Sequence, residues 1–183
     1  MQNDSNNNLH EQLKAPETRR KAFSTLVNTY GERLYWHIRK LVLTHEDSND
    51  VLQNTFIKAW TNLDSFRGES KISTWLYRIA VNESITFLNK QRKIAAQIAE
   101  EEDFFLLDNL ESDSFFDGDA AELKLQKAII RLPEKQRIVF TMKYYDELKY
   151  EEMSEILDTS VGALKASYHH AVKKIESFLT EED

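Results

Sequence analysis

Four glycines and two prolines in 183 residues leave this chain few places to turn. Those two residue types punctuate secondary structure most strongly, and between them apolar and charged residues recur every three or four positions. The expectation is an all-α protein built from long helices. From Pro16, a residue suited to a first helical turn, Phe23, Leu26, Val27, Tyr30, Leu34, Ile38 and Leu41 fall on one face. Gly31 interrupts that run without ending it. A second helix starts within "THEDSND", capped by Thr44, Asp47 or Ser48, and runs through Val51, Leu52, Phe56, Ala59, Trp60 and Leu63. After the polar turn "LDSFRGES", Ser70 is the expected cap of a third helix buried through Ile72, Trp75, Leu76 and Ile79.

Charge divides the chain further. Residues 96–122 hold ten acidic residues and no lysine or arginine, while the whole chain carries a net charge of −7. The remainder is therefore net positive, and the excess lies before the acidic run. With no sustained helical period, that run reads as a linker. The expected organisation is a disordered tail over 1–15, a helical module over 16–95, the acidic linker over 96–122 and a second helical module over 123–183. The absence of cysteine excludes a disulfide framework and thiolate metal sites. The opening "MQNDSNNNLHEQ" has neither a basic start nor an apolar run, so the expectation is a cytoplasmic protein without membrane insertion.

The first module offers one unusual face. Lys71, Thr74, Arg78 and Asn82 share a stripe on the third helix away from its expected buried side, and "NKQRK" adds Lys90, Arg92 and Lys93. A solvated helix surface accounts for the stripe alone. The preceding turn weakens that account, because an arginine and an exposed phenylalanine beside a glycine suit contact with an unpaired base.

In the second module Pro133 opens a helix carrying Ile138, Val139, Met142 and Tyr145. A short helix through Tyr150, Met153, Ile156 and Leu157 follows, then "DTSVG" with Ser160 as cap, then a long helix through Val161, Leu164, Tyr168, Ala171, Val172, Ile175, Phe178 and Leu179. Short helix, turn and longer helix form the helix-turn-helix layout, whose second helix enters the major groove. Its open face carries Lys165, Ala166, His169, His170 and Lys173, whereas Tyr168 is expected in the core. Adjacent His169 and His170 point about a quarter-turn apart with no further ligand nearby, so no metal site and no cofactor is expected.

Four strings in this order, "DVLQNTFIKAW" (50–60), "LDSFRGESKISTWLYRIAVN" (63–82), "LPEKQRIVFTMKYYDELKYEEMSEIL" (132–157) and "VGALKASYHHAVKKI" (161–175), resemble the extracytoplasmic-function (ECF) sigma factors of bacterial RNA polymerase. The resemblance spans nearly the whole chain. It implies a sigma-2-like first module and a sigma-4-like second module. It also implies that Asp50, Gln53 and Asn54 face core RNA polymerase, where the family usually has glutamate at the position of Asn54. The loop Asp64, Ser65, Phe66, Arg67 and Gly68, together with Asn82, would capture a base flipped from the minus-10 element of promoter DNA. Lys71, Thr74 and Arg78 complete that site, with Lys71, Arg78 and the basic residues at the helix end holding phosphates.

The same resemblance assigns minus-35 reading to Lys165, Ala166, Ser167, His169, His170 and Lys173. Family members commonly carry arginines there. Lysine lacks the bidentate fork that arginine presents to guanine, so weaker binding and more dependence on duplex shape are expected. The linker would lie in the polymerase cleft, its charges imitating nucleic acid, with Phe104 to Leu107 and Ser114 to Phe116 as weak anchors. An anti-sigma factor that clamps both modules is a further implied partner.

A helix-turn-helix regulator that does not bind core polymerase is the alternative, and it leaves the loop and stripe of the first module unexplained. A helical protein-binding adaptor leaves both basic faces unexplained. No glycine-rich phosphate loop, metal-ligand set or nucleophile paired with a base supports an enzyme.

Overall fold

A computed structural model describes residues 9, 11–97, 106, 110 and 120–181. Its main helices are α1 (Pro16–Val42), α2 (His45–Thr61), α3 (Ile72–Gln97), α4 (Ala120–Ile130), α5 (Glu134–Tyr144), α6 (Tyr150–Leu157) and α7 (Val161–Glu181). Pro16 occupies the first turn of α1, which runs through Gly31 without a break. Thr44 is the cap of α2: its Oγ1 accepts the Asp47 N–H at 3.1 Å and so satisfies one of the orphan donors of the first turn. Ser70 does not cap α3. The helix starts at Ile72, and the carbonyl of Lys71 accepts the Trp75 N–H at 3.1 Å.

Helices α1, α2 and α3 pack on one another as the first module, and α4 to α7 form the second. The two are joined through more than their chain connection. Leu34, Ile38 and Leu41 of α1 and Leu76 and Ala80 of α3 belong to the same buried cluster as Ile138, Val139 and Met142 of α5 and Met153 and Ile156 of α6. Helix α5 serves both sides, because Phe140 turns instead into a smaller cluster with Ile129, Ala171 and Ile175. Met142 and Met153 are completely buried, and a flexible thioether chain fills an irregular seam well.

Residues 11–14 are helical rather than part of a disordered tail, and Leu13 is 1% exposed in the main core. A fully buried leucine contributes about 1.5–3 kcal/mol, enough to hold a short turn in place. Of the expected linker anchors, Leu106 is buried, as is Leu110; Phe104, Phe105, Leu107, Ser114, Phe115 and Phe116, and the acidic residues Glu100 to Asp103, lie outside the described residues. No helix among the described residues is long and apolar enough to cross a membrane.

Candidate nucleic-acid interface

The loop after α2 is a single 3-10 turn, Leu63–Ser65. The N–H groups of Ser65 and Phe66 donate to the carbonyls of Asn62 and Leu63 at 3.0 and 3.1 Å, and Ser65 Oγ donates to Asn62 O at 2.6 Å. Gly68 has φ of 77°, a left-handed conformation in which any side chain is strained. Asp64, Ser65, Arg67 and Gly68 are exposed. Arg19, reaching over from α1, forms an ion pair with Asp64 and fixes the outer side of the loop.

Phe66 departs from expectation. It is 7% exposed and its ring lies 5.0 Å from that of Trp75, so it cannot offer a free face to a base. The 3-10 turn directs it inward beside the buried Leu63, and aromatic contact with α3 holds it there. Thr74 departs too. It is 5% exposed rather than part of an open stripe, and it lines a cavity of about 280 Å³ together with Glu69, Ser70, Trp75, Arg78 and Glu155. That cavity is closed on one side by α6, which sequence periodicity within α3 could not anticipate.

Lys71, Arg78 and Asn82 are exposed on α3 as expected. Their neighbours come from the second module. Lys71 Nζ lies 2.8 Å from Glu152 Oε1, and Arg78 donates to the carbonyl of Glu155. Farther along α3, Arg92 pairs with Glu134 at the start of α5. The bond from Lys71 holds the Glu152 carboxyl below its usual range, and the same bond holds the Lys71 ammonium above its own. The second carboxylate oxygen of Glu152 accepts the Lys149 N–H at 3.3 Å, which orients the side chain at the start of α6.

On α2, Asp50, Gln53 and Asn54 are exposed on one face, and Ile57, one turn beyond Gln53 and 54% exposed, extends it. Ile57 is an addition to the expected set. An isoleucine left open in line with polar residues was readable as a contact, but it also fits an ordinary amphipathic helix.

The helix-turn-helix is α6, the turn Asp158 to Ser160, and α7. Asp158 adopts φ of 49° to end α6, and Ser160 Oγ accepts the Ala163 N–H at 3.3 Å to open α7. Lys165, Ala166, His169, His170 and Lys173 are exposed on α7, with Ser167 half-buried. Lys165 Nζ sits 5.7 Å from the centre of the Tyr150 ring, which steadies a long side chain at the edge of this face. Tyr168 is half-buried and stacks on Phe140, with centroids 5.7 Å apart and planes 14° apart. Among the described residues no group of three or more histidines and carboxylates is placed to hold a metal ion.

Comparison with known proteins gives matches over both modules. A family model for Sigma-70 region 2 matches residues 26–94, and one for Sigma-70, region 4 matches residues 122–175. The ECF RNA polymerase sigma factor SigW of Bacillus subtilis (strain 168) is 33% identical over 168 residues, covering 87% of this chain and 90% of the relative. The ECF RNA polymerase sigma-E factor of Haemophilus influenzae is 34% identical over 166 residues, covering 86% and 87%. Among solved structures, CnrH in complex with the cytosolic domain of CnrY aligns with a TM-score of 0.69 at 23% identity, over 97% of this chain and 99% of CnrH. The sigma factor RpoE in complex with the anti-sigma factor NepR from Bartonella quintana aligns with a TM-score of 0.66, also at 23% identity, over 87% and 98%.

Proposed function

We propose how this chain, which belongs to the ECF family of RNA polymerase sigma factors, divides promoter recognition between its two modules. The exposed α2 face of Asp50, Gln53, Asn54 and Ile57 binds core RNA polymerase. The loop Asp64, Ser65, Arg67 and Gly68, together with the exposed Asn82 of α3, receives a base extruded from the minus-10 element. Unstacking costs a few kcal/mol, which hydrogen bonds to the exposed base edge offset. Phe66 acts from beneath by holding the loop against Trp75 and α3. Lys71 and Arg78 contribute phosphate contacts, while Thr74 supports the stripe from within.

Helix α7 enters the major groove of the minus-35 element, presenting Lys165, Ala166, Ser167, His169, His170 and Lys173. With lysines and histidines in place of arginines, base discrimination there leans on contacts other than bidentate pairing with guanine. The chain contributes recognition and strand opening in the cytoplasm, and the chemistry of nucleotide addition belongs to the polymerase. An anti-sigma factor is a further partner, as in the solved complex of the sigma factor RpoE with NepR.

The observation that carries this reading is the order of two dissimilar surfaces in one chain: a polar loop and cationic stripe first, an exposed helix-turn-helix face second. Purified chain added to sigma-free core polymerase on genomic templates is the test. Discrete transcript starts sharing two upstream elements are expected. Binding to duplex DNA without any initiation would instead favour a conventional helix-turn-helix regulator.

A further inference from the structure

The loop after α2 is held in two separate ways. Its backbone is fixed from below: the N–H groups of Ser65 and Phe66 donate to Asn62 and Leu63, and the Phe66 ring rests beside Trp75. Its outermost carboxylate is fixed from the side. Arg19 of α1 pairs through Nη2 with Oδ1 of Asp64, and the same guanidinium donates from Nε to the Leu13 carbonyl at 3.0 Å. Two donors of the planar fork are thus engaged on different partners, which sets the plane of the group rather than merely placing a charge nearby.

The Leu13 carbonyl is itself a firmly placed acceptor. Leu13 is 1% exposed in the main core, the Ala15 N–H donates to the Glu11 carbonyl at 3.2 Å, and Thr18 Oγ1 donates to the Gln12 carbonyl at 2.7 Å. The turn at 11–14 is thereby tied to the start of α1, where it presents its carbonyl to Arg19. As a stabilising device the Arg19–Asp64 pair is poor, because the Asp64 side chain is 77% exposed and exposed ion pairs contribute little to stability. As a positioning device it is well built. A long side chain is immobilised in order to orient a short one that stays open to solvent.

That orientation has a chemical consequence. An ionised carboxylate only accepts hydrogen bonds. With both oxygens open it matches two adjacent donors, the ring N–H and the amino group on the pairing edge of guanine. With Oδ1 bonded to Arg19, one oxygen is left for a base, which suits the single amino group of cytosine or adenine. We infer that Arg19, seated on the turn at 11–14, is a positioning residue for base selectivity: by engaging Oδ1 of Asp64 it disfavours guanine at the loop and favours cytosine or adenine. This rests on the base-receiving role proposed for the loop.

Holoenzyme assembled from core RNA polymerase and the full chain is titrated with fluorescent fork-junction DNA built on a mapped promoter, each single-stranded minus-10 position carrying all four bases in turn. At one position the unaltered chain is expected to bind cytosine or adenine about fivefold or more tightly than guanine. Arg19→Ala is expected to bring guanine within about twofold of the preferred base, with the urea unfolding midpoint nearly unchanged. Arg19→Lys keeps the charge but lacks the fork that engages Leu13 and Asp64 together, and is expected to lose selectivity as Arg19→Ala does. Arg20→Ala, at the exposed neighbouring position, removes the same charge and is expected to keep it. In an Asp64→Ala background, Arg19→Ala is expected to add no further change. Full selectivity in Arg19→Ala overturns the inference, as does a guanine preference in the unaltered chain, an equal loss in Arg20→Ala or an additive loss in the double variant. If the unaltered chain discriminates at no position, the base-receiving reading fails; discrimination that survives Arg19→Ala counts against the Arg19 assignment alone.

Discussion

His37 Nδ1 lies 2.6 Å from Asp146 Oδ2, a contact that joins the first helix to the turn before α6 across 109 residues of sequence. Both side chains are almost wholly enclosed, at 0% and 8% exposure. Removing the carboxylate leaves a buried ring nitrogen without its acceptor. Asp146→Ala is expected to lower stability by about 1–3 kcal/mol and to split urea unfolding into two transitions as the modules uncouple. A single unshifted transition would show that the pair contributes nothing to docking.

The Lys71–Glu152 bridge makes docking sensitive to acid. Glu152 has its carboxyl pulled below the ordinary value of 4.5 by the Lys71 bond, so its contribution is present above that value and fades as pH falls through the depressed one. Lys71 is held above 10.5 by the same bond, so its share is complete at neutral pH and is lost only as pH rises through the elevated value. At pH 7 Glu152→Gln is expected to weaken the docking of α6 on α3, and once the pH is low enough to protonate Glu152 the variant and the unaltered chain are expected to coincide. A difference that persists unchanged through the acid titration of Glu152 would assign the effect to packing rather than charge.

Phe66 and Asn82 are expected to fail in different ways. Phe66→Ala empties a core position and should cost about 3–5 kcal/mol, disordering the loop together with the Trp75 contact. Asn82 is exposed, so Asn82→Ala should keep the unfolding midpoint while reducing promoter opening, read by permanganate reactivity of unpaired thymines. If Phe66→Ala unfolded at the same denaturant concentration as the unaltered chain, its burial would have no energetic weight.

On α7, Lys173→Ala is expected to weaken binding to minus-35 duplexes nearly uniformly across sequences and to reduce the slope of log affinity against log salt by about 0.9. Lys165 sits nearer the start of α7, and Lys165→Ala is expected to relax preference at one base pair as well. Identical salt slopes for Lys173→Ala and the unaltered chain would remove Lys173 from the phosphate-contacting set.

On α2, Asp50→Lys is expected to weaken core polymerase binding about tenfold or more without moving the unfolding midpoint, since Asp50 is exposed. Fluorescence anisotropy with labelled chain measures the first and urea denaturation the second. Equal affinity would place the polymerase-binding face elsewhere.

Helices were legible because their period is local: Leu26, Leu34, Ile38 and Leu41 announce one face of α1 whatever lies beside it. Helix α7 was legible for the same reason, as Leu164, Ala171 and Ile175 point inward and leave Lys165, His169 and Lys173 outside. Phe66 and Thr74 were misplaced because their surroundings come from elsewhere in the chain. An aromatic residue in a polar turn looks exposed until Trp75 is brought beside it, and a threonine on a charged stripe looks solvated until Glu155 closes the cavity over α3. Leu13 was lost among asparagines and charges, a setting in which one apolar residue gives no period. The pairing of His37 with Asp146 left no local trace, because neither residue has a helical neighbour that implies the other.

The short turn before α1 has a practical consequence. Leu13 is buried, its carbonyl accepts from Arg19 Nε at 3.0 Å, and the same guanidinium pairs with Asp64. Trimming residues 11–14 for expression, or fusing a bulky affinity tag directly against them, would therefore loosen a guanidinium that braces the loop after α2 some 45 positions later. A purification handle belongs at the other end of the polypeptide, or behind a spacer long enough to leave that turn seated.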